Sequence, residues 1–148
     1  MKLKQILKQA SIGAFVPGLS AHHWTMADII DNRASDIKCG RRQTPTGTLI
    51  NKIDDSIGYG MQMLLLGMFD TTLYAYGYGI ALSQATGINM IGMNETLMDG
   101  PDLRTGLIVG LVTVAGRAGM YLFSKAYRKE EEESLQEALT ERYNITKA

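Results

Sequence analysis

Two charged residues, Asp70 and Arg117, interrupt apolar stretches of this sequence. Asp70 is the one formal charge in residues 57–83, and Arg117 lies near the middle of residues 103–124. As a helix rising ~1.5 Å per residue, each stretch is long enough to cross the ~30 Å hydrocarbon core of a bilayer. An unpaired charge at that depth costs from ~2.5 to more than ~10 kcal/mol, so we expect the acid and the base to pair.

The depth and the helical face of these two residues support an intramembrane ion pair. In an antiparallel hairpin they differ in height by only ~5 Å, which an arginine side chain can span. On a helical wheel each charge lies on the glycine-bearing face of its stretch, and small residues let helices approach closely. The pair either fixes the register of two helices or forms part of a polar path for ions or protons. The predicted helix-packing residues are Gly67, Gly77, Gly106 and Gly110.

Basic residues flank the two stretches mainly on their outer sides, with Arg104 at the loop-side edge of the second stretch. Lys38, Arg41, Arg42 and Lys52 precede the first stretch, and Lys125, Arg128 and Lys129 follow the second. The connecting segment 84–102 contains Glu95, Asp99 and Asp102 but no lysine or arginine. By the positive-inside rule we expect both termini on the cytoplasmic or equivalent side and segment 84–102 on the far side.

The N-terminal region, residues 1–56, begins with an amphipathic pattern. Apolar residues at positions 3, 6, 7, 10 and 14 predict a short helix, whose other face carries Lys4 and Lys8. This helix either lies in the lipid headgroup layer or packs on the protein itself. Pro17 and Gly18 end it, and Thr25 with Asp28 three residues later predicts the next helix start. Breaks at glycine and proline do not suit a signal peptide, so we expect the segment to be retained.

Aromatic and basic residues near the ends of the two stretches are typical of a membrane interface. Asp102 is expected to cap the second helix, which should run on as a charged helix over residues 125–148 because this segment is rich in strong helix formers. The predicted interface residues are Trp24, Tyr76, Tyr78, Lys125, Arg128 and Lys129.

The sequence offers no constellation of reactive residues. His22 and His23 are adjacent, so they point in different directions, and no acid stands at a helical ligand spacing to complete a metal site. The single cysteine, Cys39, excludes an internal disulfide, and the formal net charge of +0 gives no bulk attraction to nucleic acid. We therefore expect no enzyme activity, metal, cofactor, nucleic-acid partner or small-molecule substrate.

These patterns together predict an all-α membrane protein. Its parts are the N-terminal region 1–56, transmembrane helices 57–83 and 103–124, the far-side loop 84–102 and the charged helix 125–148. The predicted function is that of a structural or assembly protein: a helical hairpin that forms a homo-oligomer or docks a larger respiratory, secretion or virion complex. The alternative is a small oligomeric channel, permeabilising or transport-coupled protein that uses Asp70 and Arg117 as a polar path.

Overall fold

The computed structural model describes residues 3–40, 45–90, 92 and 101–147, and these residues form helices and no strands. The helices are α1 (Leu3–Phe15), α2 (Leu19–Lys38), α3 (Pro45–Thr86) and α4 (Leu103–Lys147). The all-helical prediction is therefore confirmed for the described part of the chain. Arg41 and Arg42, and nine of the nineteen residues of the predicted far-side loop (residue 91 and residues 93–100), lie outside the described residues.

Helices α3 and α4 are much longer than the apolar stretches within them. They contain 42 and 45 residues, so at ~1.5 Å per residue each extends over more than ~60 Å. Asp102 caps α4 as predicted, since its carboxylate accepts the backbone N–H of Arg104 at 3.0 Å. Segment 125–147 continues α4 without a break. At the end of α3, Gly87 has a φ of 73° and donates its N–H to the carbonyl of Ser83 at 2.8 Å.

The prediction that a helix starts at Thr25 is wrong. Gly18, with a φ of 81°, reverses the chain within a few residues, and α2 already begins at Leu19. A left-handed backbone of this kind favours glycine. Thr25 lies inside α2 and is fully buried. Pro17 and Gly18 thus end α1 and directly precede the first residue of α2.

Helix α4 packs against each of the other three helices. Helix α1 runs antiparallel to α4, because Ala14 contacts Arg117 while Gln9 contacts Lys125. Helix α2 runs parallel to α4 and antiparallel to α3. Helices α1 and α2 therefore lie beside the half of α4 that follows Arg117, where four helices pack together. Towards Leu103 the described tertiary contacts are between α3 and α4.

The core of the bundle is built mostly from small side chains. Its least exposed apolar residues are alanines, and the larger buried ones are Ile29, Ile30 and Tyr121. Large apolar side chains instead cover the outside of α3 and α4, where Leu65 is 68% and Leu111 69% exposed. A soluble protein normally buries such residues. Others on this outer surface are Leu64, Met68, Phe69, Leu107, Ile108, Val112 and Phe123.

Among the described residues, α4 is the one helix that meets the length and hydropathy criteria for a membrane span. The qualifying segment is Leu103–Arg142, and 17% of its most apolar window is buried inside the protein. The core helix of a soluble protein can also pass such a test, but it would be mostly buried. Helix α3 does not meet the criteria, and we attribute this to Asp70 and the four tyrosines of residues 57–83. The second span therefore stays a prediction.

Candidate functional site

Asp70 of α3 and Arg117 of α4 meet inside the bundle. Nη1 of Arg117 lies 2.9 Å from Oδ1 of Asp70, and each side chain is 4% exposed. The same nitrogen donates to the backbone carbonyl of Asp70 at 3.0 Å. The guanidinium therefore binds both the carboxylate and the backbone of α3 at this level.

The remaining donors of Arg117 bind the end of α1. Its Nε donates to the carbonyl of Ala14 at 3.0 Å, and its Nη2 donates to the carbonyl of Val16 at 3.3 Å. Carbonyls at a helix C-terminus have no partner within the helix, and the helix dipole makes that end negative. A guanidinium there both satisfies the carbonyls and matches the sign of the dipole.

The carboxylate of Asp70 binds the start of α2 in the complementary way. Its Oδ2 accepts the backbone N–H of Gly18, which precedes the first residue of α2. The N-terminus of a helix is the positive end of its dipole and has unsatisfied N–H groups, so a carboxylate is stabilised there. One ion pair thus caps two helices at once, and we call residues 14–18, which it holds, the capped turn.

Aromatic side chains of α3 surround this arrangement. The guanidinium of Arg117 lies 4.9 Å from the ring centroid of Tyr74, a cation–π distance. The hydroxyl of Tyr78 donates to the carbonyl of Ala14 at 2.8 Å, and its ring stacks on Phe15. The carbonyls of Ala14 and Val16 and the N–H of Gly18 are therefore all paired, although the side chains of residues 15–17 are exposed.

Three of the four predicted packing glycines lie at the contact between α3 and α4. A Cβ on Gly77 would lie 2.6 Å from Cγ2 of Thr113, and one on Gly106 would lie 2.8 Å from the carbonyl oxygen of Ala81. Gly110 is 3.6 Å from the Ala81 side chain by the same measure. A Cβ on Gly67 would meet only the end of the Met63 side chain, so Gly67 is not at a helix contact among the described residues.

The predicted interface residues take several roles. Trp24 packs on Phe123 and Tyr127 of α4, whereas Tyr76 is exposed on α3. Tyr78 reaches the capped turn instead of pointing outward. Three basic side chains lie in consecutive turns of α4: Lys125 donates to Gln9 at 2.7 Å, Arg128 pairs with Glu132 and Lys129 pairs with Glu133.

The two histidines face different partners. His22 contacts the hydroxyl of Tyr59, and His23 lies against Tyr121 and near Arg128. Burial, and then the positive charge of Arg128, lower the pKa of His23 below its ordinary value. Within the described part of the chain no group of three or more His, Cys, Asp or Glu residues could hold a metal ion.

The capped turn itself was not predicted. Pro17 and Gly18 predict the end of a helix, but no local pattern connects them with Asp70 or Arg117. A usable signal was present, because residues 9–27 contain no Asp, Glu, Lys or Arg although they lie between charged segments. A reversal inside an uncharged segment needs partners for its backbone, and two charged residues were available.

Comparisons with known proteins returned no match to a family model, a curated protein or a solved structure.

Proposed function

We propose that this chain is a non-enzymatic integral membrane protein with a structural or assembly role. The observation that carries the proposal is the distribution of side chains, with alanines inside the bundle and large apolar residues outside. Lipid is as apolar as leucine, so membrane helices associate through small residues and direct their large apolar residues to the bilayer. In this proposal residues 57–83 and 103–124 form a two-span hairpin, and both termini lie on the cytoplasmic or equivalent side.

The contacts between α3 and α4 support the second span. Asp70 lies level with Arg117, and Gly77 lies against Thr113 closer to the loop. If α4 crosses the bilayer, these contacts carry α3 through it at the same depth. Several of the groups that lower the hydropathy of α3 are turned towards the bundle. Asp70 is buried, the Tyr74 ring lies against Arg117, and Tyr78 contacts the capped turn, whereas Tyr76 is exposed.

Helices α1 and α2 are proposed to enter the same leaflet as a re-entrant hairpin. From Lys125 at the edge of the apolar stretch to Arg117 is eight residues, or ~12 Å into the hydrocarbon. The capped turn lies at the level of Arg117, and the uncharged residues 9–27 lead to it and away from it. Irregular backbone at such depth needs partners from the protein, which the ion pair and Tyr78 provide for Ala14, Val16 and Gly18.

The ion pair supports an architectural role over a conducting one. In the described part of the chain, Arg117 and Asp70 bind each other and the elements they join, and Arg117 also lies over the ring of Tyr74. A group that must exchange ions or protons needs access to them, whereas both side chains here are 4% exposed. The apolar outer faces of α3 and α4 are available to lipid, to further copies of the chain or to another subunit.

Membrane extraction and cysteine accessibility test the proposal. Alkaline carbonate should leave the protein in the membrane fraction. With Cys39→Ser as background, Lys52→Cys should react with an impermeant maleimide from one side and Met90→Cys from the other. Val16→Cys should stay unreacted until detergent is added, although Val16 is 43% exposed in the isolated protein.

Three results would contradict parts of this proposal. Labelling of Val16→Cys as fast as Lys52→Cys would exclude the re-entrant hairpin, and labelling of positions 52 and 90 from the same side would exclude two spans. The assembly role would be contradicted by native mass spectrometry of the protein from native membranes that found a monomer without partners. Ion or proton flux in liposomes that is lost in Asp70→Asn would favour the conducting alternative.

A further inference from the structure

A cleft lies where α1, α2 and α4 meet, at the C-terminal end of the apolar stretch of α4. It has a volume of about 590 Å³, and its walls include Gln9, His23, Leu122, Lys125 and Arg128. Ala126, Lys129 and Glu132 complete the lining. Its residues on α4 recur every three or four positions, so the cleft follows one face of that helix from its apolar part into its charged part.

The charges of the lining leave a net positive site. Three cations face a single carboxylate, because Glu132 is the one acid among the lining residues. Glu132 forms an ion pair with Arg128, with 2.8 Å between Oε1 and Nε. Lys129 pairs with Glu133, which does not line the cleft. Lys125 has a neutral partner, the side-chain carbonyl of Gln9. His23 adds no compensating negative charge, and burial, followed by the charge of Arg128, lowers its pKa and so favours the neutral imidazole.

The position of the cleft selects the class of anion. Leu122 lies one turn towards the apolar stretch, and Lys129 lies one turn towards the charged end of α4. Trp24, an aromatic residue of the kind that marks the headgroup level, packs at the same height against Phe123 and Tyr127. A ligand here therefore meets cations at one end and an apolar wall at the other. Basic pockets of this kind between membrane helices bind anionic lipid headgroups.

We infer that this cleft is a binding site for an anionic phospholipid. The lipid phosphate lies between Lys125 and Arg128, where it replaces the neutral Gln9 oxygen as the partner of the ammonium group. An acyl chain follows Ala126 and Leu122 towards the bilayer centre. This inference rests on the proposed membrane insertion. It specifies the class of lipid that binds between α1 and α4.

Lipid selectivity of the full-length protein in nanodiscs tests the inference. Nanodiscs of phosphatidylcholine doped with phosphatidylglycerol are compared by native mass spectrometry, and retained lipids are counted after the disc is stripped. The wild type should retain phosphatidylglycerol in preference to phosphatidylcholine. Lys125→Gln/Lys129→Gln should weaken that preference roughly fivefold for each lysine, which corresponds to about 1 kcal/mol each.

Two further variants separate a built site from bulk attraction. Lys4→Gln/Lys8→Gln removes the same charge from exposed positions of α1 that do not line the cleft, and it should leave the preference unchanged. Ala126→Phe fills the cleft while all charges remain, and it should lower phosphatidylglycerol retention. Equal losses in the two double variants, or full retention in Ala126→Phe, would overturn the inference.

Failure of the inference is distinguishable from failure of the proposed function. A wild type that carbonate releases from vesicles is not an integral membrane protein, and both then fail. A wild type that stays inserted but retains both lipids equally overturns the lipid site alone.

Discussion

Replacement of Asp70 and Arg117, singly and together, tests the double-capping role of the ion pair. Removing one partner of a buried pair costs about 3–5 kcal/mol, because the other charge is left uncompensated. The two single changes should nevertheless differ. Asp70→Leu leaves Arg117 with the carbonyls of Ala14, Val16 and Asp70 as acceptors. Arg117→Leu leaves Asp70 with the Gly18 N–H as its one remaining partner of those described, so it should be the more destabilising change.

The double variant should be more stable than Arg117→Leu but less stable than the wild type. It contains no buried charge, yet the carbonyl of Val16 and the N–H of Gly18 lose their partners, at about 1–3 kcal/mol each. Ala14 keeps the hydroxyl of Tyr78 as a donor. We therefore expect a coupling energy of roughly 3 kcal/mol between the two sites. We also expect the double variant to keep a lower free energy of unfolding than the wild type.

Reversible unfolding of the detergent-solubilised protein by added SDS, followed by circular dichroism, gives the four free energies of this cycle. Additivity of the single changes within about 0.5 kcal/mol would show that the residues act independently. A double variant as stable as the wild type would show that the capped turn does not need the pair. Either result would refute the reasoning.

Two further predictions concern packing and pH. Gly13→Ala should destabilise the protein by about 1–3 kcal/mol, because the new Cβ would lie 2.2 Å from Cβ of Tyr121, an atom that no side-chain rotation can move. Gly116→Ala is the control: its Cβ would have no neighbour within 4 Å, so the change should be neutral or stabilising in the same SDS titration. Burial, and then the charge of Asp31, raise the pKa of Glu131. Ionisation of Glu131 therefore lowers the stability of the protein as pH rises through that pKa. Glu131→Gln should raise the melting temperature at pH 7.5, and this gain should disappear below about pH 4, where Glu131 is protonated. A gain that persists at low pH would show that the charge of Glu131 is not the cause.

The meeting of Asp70 and Arg117 could be anticipated from the sequence because three independent quantities agree. The two residues have opposite charge, lie at similar depth in stretches of similar length, and share their faces with glycine. The cap at Asp102 was equally accessible, because it depends on a local pattern. Gly67 lies on the same face of the helical wheel as Gly77, yet none of the described helices packs against it. A wheel shows which residues share a face, but not how far along the helix a neighbour extends.

The arrangement of α1 and α2 could not be obtained in the same way. Pro17 and Gly18 predict an interruption, but local sequence does not say whether the next helix begins at once or after a loop. The predicted start at Thr25 relied on a capping pattern with Asp28, whereas a tertiary cap from Asp70 makes the earlier start at Leu19 possible. A partner 52 residues away in sequence leaves no trace in a local pattern.

The capped turn also fixes an order of events during synthesis. Its contacts reach forward along the chain by 52 residues to Asp70 and by 101 and 103 residues to Arg117. At a translation rate of ~5–20 residues per second, about 5–20 s pass between emergence of the turn and emergence of the guanidinium that satisfies its carbonyls. The start of α2 can be capped once Asp70 has emerged, whereas the end of α1, the first helix to be made, gains its guanidinium only when Arg117 follows.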